Sequence, residues 1–140
     1  MRRMLVLVTP WHVPIQTSRG LVTFGPGDLQ VPDDLSRVKL LLEHGRDVVL
    51  SVAIEHHTTT TGLTMLFEQP DTPEARAAFD SAARGLRDGV SPGVEMDSPT
   101  MTRIRRAGPG VSVAGAGLLR EVSLCAVAAH PDARVLGVTP

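Results

Sequence analysis

Apolar positions in this chain come in short bursts separated by turn formers, a pattern that predicts strands more often than helices. Residues 4 to 9 and 12 to 16 are rich in Val, Leu and Ile and are interrupted by Pro10 and Pro14, which predicts strands near a sheet edge. Residues 21 to 24 predict a further short strand. Gly25-Pro26-Gly27-Asp28 is a dense turn signal, and the polar segment after it reads as loop with one helical turn beginning near Asp33. Val38 to Leu42 predicts a buried strand that ends in Glu43-His44-Gly45-Arg46. Asp47 to His57 and Gly62 to Glu68 predict a hairpin whose tip is the threonine run from 58 to 61.

One segment carries a helical period. Over 72 to 88, Ala75, Phe79, Ala82 and Leu86 fall on one stripe. Thr72 suits the N-cap, Pro73 the first helical position and Glu74 the positive end of the helix dipole, while Gly89 suits the stop. Beyond it, residues 94 to 96, 100 to 106 and 111 to 114 predict short strands, and Leu118 to Ala129 predicts the last strong one. Along that strand Glu121, Ser123 and Cys125 share one face, and Val122, Leu124 and Ala126 the other. The expected fold class is mainly β (α+β), an antiparallel barrel or sandwich in a single domain over 1–140, with one main helix and small helical additions. A parallel βαβ array would need more helices than this pattern offers.

Composition narrows the function classes. With 14 basic and 15 acidic residues, the chain offers no electrostatic case for a nucleic acid or an anionic membrane as the main partner. The lone cysteine, Cys125, excludes an internal disulfide framework and suits a reducing compartment; its apolar neighbours predict a buried structural thiol. Arg2-Arg3 before a short apolar run resembles the start of a leader, but Thr9-Pro10-Trp11-His12 cuts that run short, so a first strand is expected. No apolar run approaches membrane-spanning length.

Candidate chemistry centres on Gly89-Val90-Ser91-Pro92-Gly93. The flanking glycines permit positive φ and close approach of another main chain, so Ser91 could present its hydroxyl to a bound peptide; a helix stop and turn is the plainer reading of the same letters. The stretch matches G-x-S-x-G, yet the hydrolase elbow has a strand before the serine and a helix after it, the reverse of the expected order here. Pro92 also lacks the N–H that the elbow uses as an oxyanion donor. A nucleophilic serine needs a base, and His44, at the end of a buried strand and before Gly45, is the best placed candidate. His12, His56, His57 and His130 compete with it. The histidines and the single cysteine lack ligand spacing for a structural metal, so no metal and no cofactor is expected. Glu43, Asp47, Glu55 and Glu95 show no spacing that selects a carboxylate pair.

Five motifs in order are more specific than any one of them. Leu40-Leu41-Leu42-Glu43-His44-Gly45-Arg46, then Phe67-Glu68-Gln69-Pro70-Asp71-Thr72-Pro73-Glu74, Gly85 to Gly93, Arg120-Glu121-Val122-Ser123-Leu124 and Ala129-His130-Pro131-Asp132-Ala133 together resemble the prohead (capsid maturation) proteases of tailed bacteriophages, over roughly residues 38 to 135. That family is related in fold to the herpesvirus assemblins. The resemblance implies a closed β-barrel of the assemblin type, with His44 and Ser91 as catalytic base and nucleophile and Glu121 as the orienting acid. It also implies a capsid or scaffold precursor as substrate, self-cleavage, action in the host cytoplasm inside an assembling procapsid, and a homodimer by analogy. The oxyanion donors are left unassigned by the sequence; Arg103, Arg105 and Arg106 or the glycines from Gly108 to Gly117 are candidates to line the pocket. Two other readings stand beside the protease: a non-catalytic assembly module of the same fold, and an unrelated small β-domain that binds a ligand.

Overall fold

In the computed structural model, which describes residues 1–140, the chain opens with β1 (Arg3–Pro10). Met4, Val6 and Val8 are wholly buried while Arg3 and Leu5 face outward, the alternation of a half-buried strand. Next come β2 (Pro14–Thr17), β3 (Gly20–Thr23) and β4 (Leu29–Gln30). A 3-10 turn at Leu35–Arg37, capped by Asp34, leads into β5 (Lys39–Leu42). β6 (Ser51–Thr58) and β7 (Gly62–Glu68) make the expected hairpin, followed by α1 (Pro73–Ala83) and β8 (Gly89–Met96). The chain ends with α2 (Ser98–Ala107), β9 (Val113–Ala114), β10 (Gly117–Cys125) and β11 (Arg134–Thr139).

Seven strands close on themselves in the order β10-β5-β6-β7-β1-β11-β8 and back to β10. The barrel is mixed, which corrects the antiparallel expectation: β4 and β5 both run parallel to β10, end to end along one of its edges, while every other barrel pair is antiparallel. β2, β3 and β9 form a small second sheet. Inside lies one apolar cluster of 24 buried residues, with Met65 and Phe67 of β7, Val122 and Leu124 of β10 and Phe79 of α1 among its fully enclosed members.

α1 starts as its sequence dictates, the Thr72 hydroxyl accepting from Ala75 N–H at 3.1 Å. It stops earlier than expected. Gly85 takes φ +72°, and the N–H groups of Gly85 and Leu86 turn back to the carbonyls of Ala82 and Ser81, so Gly85 and not Gly89 closes the helix. Leu86, expected on the apolar stripe, is therefore 72% exposed.

A second helix replaces the strand expected over 100 to 106. Asp97 caps it by accepting from Thr100 N–H at 2.9 Å, and Pro99 occupies its first turn. The segment reads as a short strand from its sequence, but the capping chemistry at Asp97 and Pro99 starts a helix. β11 was not expected at all. Its Val135 is buried, but Leu136 and Gly137 are exposed, so its alternation is faint and its place is set by pairing with β1.

Candidate active site

Three adjacent strands meet at the outer face of the barrel, with β10 between β5 and β8. In the register of β10 with β8, Ser123 stands opposite Ser91, and Glu121 opposite Gly93. Residues 89 to 93, expected as a turn, are thus strand. Gly89 and Gly93 do not adopt positive φ; both serve close approach instead, to Cys125 and Glu121 respectively.

A bulge in β10 sets which residues point outward. Leu119 pairs with Val94 and Glu121 with Gly93, which leaves Arg120 as the extra residue. The odd-numbered Leu119 lies in the core before the bulge, and the even-numbered Val122 and Leu124 lie there after it. Glu121 and Ser123 are thereby turned to the outer face, under His44.

His44 arrives from the far side of β10 on a two-residue turn beyond β5. Glu43 and His44 take φ +49° and +60°, and Gly45 N–H bonds to Leu42 C=O at 2.9 Å. Such turns normally carry Asn or Gly, because positive φ strains other residues by about 1 kcal/mol or more each. Other contacts hold the conformation. Glu43 N–H bonds to Leu124 C=O and His44 N–H to the Ser123 hydroxyl, while the Glu43 carboxylate accepts from Ala126 N–H and pairs with Arg87.

The three side chains named from the sequence come together here. His44 Nε2 lies 3.2 Å from Ser91 Oγ, and His44 Nδ1 pairs with Glu121 Oε1. The carboxylate calls for the proton on Nδ1, which leaves Nε2 to accept from the Ser91 hydroxyl. Ser123, wholly buried, donates to Glu121 Oε2 at 2.7 Å and accepts from His44 N–H at 3.0 Å, tying the acid to the imidazole's own backbone. Strand alternation alone puts Ser123 on the Glu121 face and gives it no role. Its position one alternation step from Glu121 was the available signal.

The site opens into a cleft of about 700 Å³. Of the five histidines only His44 lines it. His56 and His57 lie on β6, His12 follows β1, and His130 accepts from Asp132 N–H at 3.1 Å. The candidates for lining the pocket are elsewhere: Arg103 bonds to Ala114 C=O, and neither it nor Arg105, Arg106 or Gly108 to Gly117 borders the cleft. The reason is the unexpected α2, which carries the three arginines and packs against β9 of the small second sheet. Cys125 is 3% exposed, and burial reinforced by the Glu43 carboxylate pushes its thiol up to about 12. That is a packing thiol rather than a nucleophile.

No group of three or more His, Cys, Asp or Glu side chains is placed to hold a metal ion. No helix is long and apolar enough to cross a membrane. No protein-family model matches the chain, and no curated protein matches it.

Proposed function

We propose that the protein is a serine endopeptidase of the prohead protease type, on an assemblin-like barrel, that cuts a capsid or scaffold precursor and itself during shell maturation. The observation that carries the reading is the continuous line from Ser91 Oγ through His44 to Glu121, with 3.2 Å between hydroxyl and imidazole. The order His, Ser, Glu along the chain and the position of the serine within a strand set it apart from the hydrolase elbow. The substrate class, the procapsid setting and the homodimer rest on the five-motif resemblance alone.

In this reading Ser91 Oγ attacks the scissile carbonyl while its proton passes to His44 Nε2. The C–N bond then breaks, the leaving amine takes that proton, and the acyl group stays on Ser91. Water attacks the ester, its proton going to Nε2, and the acid departs as Ser91 regains its hydrogen. Glu121 fixes the Nδ1–H tautomer and stabilises the transient imidazolium. Pro92 supplies no N–H, so the oxyanion donors come from outside the residue that follows the nucleophile.

Pro92 also motivates the competing reading of a non-catalytic assembly module. Two measurements decide. A fluorophosphonate should label wild-type protein at Ser91 and leave Ser91→Ala and His44→Ala unlabelled. Co-expressed capsid precursor should be trimmed by wild type and not by Ser91→Ala. An unlabelled but folded wild type favours the assembly module, and undiminished trimming by Ser91→Ala removes Ser91 from the mechanism.

A further inference from the structure

The chain as a whole is nearly neutral, yet the cleft at Ser91 is not. Four of the 14 basic residues, Arg19, Lys39, Arg46 and Arg120, border it, against two carboxylates, Glu95 and Glu121. Both carboxylates are already engaged, Glu121 with His44 and Glu95 with Arg120 at 2.9 Å. Lys39 is partly occupied as well, its ammonium donating to Ser36 C=O. Arg19 and Arg46 are different. Both are exposed, and neither takes part in any ion pair.

These two cations reach the cleft from separate parts of the chain. Arg19 sits in the turn between β2 and β3, and Arg46 lies two residues past His44, just beyond the strained turn. They converge on the space beside the nucleophile, where the only free charge is positive. A cleft walled on one side by protein focuses such a field, and guanidinium groups present a fork that matches a carboxylate. A cleft meant for a neutral or basic peptide would gain nothing from two unpaired arginines at its mouth.

We infer that the substrate presents at least one acidic side chain close to the bond that is cut, and that Arg19 and Arg46 receive it. This rests on the reading of Ser91 as a nucleophile, and it goes further in naming the charge class of the peptide and the residues that select it. A nucleic acid strand would meet the same cations, but the cleft they border also holds a serine and a histidine, and the chain carries no net positive charge to draw a polyanion.

The test is cleavage of a proteome-derived peptide library by the full chain, with every cut site sequenced, beside fluorophosphonate labelling of the same preparation. Acidic residues should be enriched about fivefold at one or more positions flanking the cut, the factor expected of an exposed charge pair at the upper end of its range. The enrichment should fall toward unity in Arg46→Gln and Arg19→Gln, return in Arg46→Lys, and fade with added salt. Cleavage with no acidic preference overturns the inference and leaves the nucleophile intact. Labelling without any cleavage counts against it too, since the library is rich in acidic peptides. Absence of both labelling and cleavage sinks the nucleophile reading, and this inference with it.

Discussion

Gly93 leaves the space that the Glu121 carboxyl group fills. A β-carbon at position 93 would come within 2.3 Å of Glu121 Oε1 and 2.6 Å of its Cγ, so no other residue type can stand there without moving the acid. The cross-strand pairing of the two residues puts that requirement into the backbone register. The glycine's contribution is absence of a side chain, not access to positive φ.

Gly93→Ala should therefore keep the barrel and lose the alignment. We expect Glu121 to be pushed off His44 and the rate of Ser91 labelling to drop about a hundredfold, a typical consequence of displacing a positioned group by about 1 Å. Circular dichroism and thermal melting should stay close to wild type. Unchanged labelling would mean that the acid does not align the imidazole.

Ser123→Ala probes the link between acid and imidazole backbone. The hydroxyl is fully enclosed, so its removal leaves Glu121 Oε2 and His44 N–H short of a partner. Losing a hydrogen bond to a charged group costs about 1.5 to 3 kcal/mol, which corresponds to about 10- to 100-fold in rate if it falls on the transition state. A loss of stability with no change in kcat for a peptide substrate would reduce Ser123 to a packing role.

The start of α2 should be acid-sensitive. Hydrogen bonds from the Thr100 hydroxyl and then from its backbone N–H hold Asp97 below the ordinary 3.8. A carboxylate depressed in the folded state contributes stability above its unfolded value and loses it as pH falls through the lowered one. Asp34, depressed by the Ser36 hydroxyl and then by its N–H, has the same sign. Urea unfolding followed downward through that range should show a smaller acid loss for Asp97→Asn, which can still cap but cannot titrate; an identical pH slope would refute the assignment.

Cys125 should resist alkylation in the native protein. Its thiol is raised from 9.0 to about 12 by burial and then by the Glu43 carboxylate, so little thiolate forms near neutrality. Iodoacetamide at about pH 8 should modify it only after unfolding. The sign for stability is opposite to that of Asp97: the contribution is whole below 9.0 and is lost as pH rises toward about 12. Rapid native-state alkylation would show that the strand end opens.

Much of the site's content was written locally. The alternation of Glu121 and Ser123, the strand running into His44 and the Thr72-Pro73 helix start need only near neighbours to take effect, so they are legible from spacing alone. So was the small, valine- and leucine-rich β character of the fold. The parallel pairing of β5 with β10, the bulge at Arg120 that turns Glu121 outward, the strand at Ser91 and the convergence of Arg19 with Arg46 depend on partners far along the chain. A hydrogen-bond ladder chooses its neighbour by closing the whole barrel, and no local window contains that choice. Residue types and their faces were therefore the sequence's to determine; which faces meet was decided only when the sheet closed.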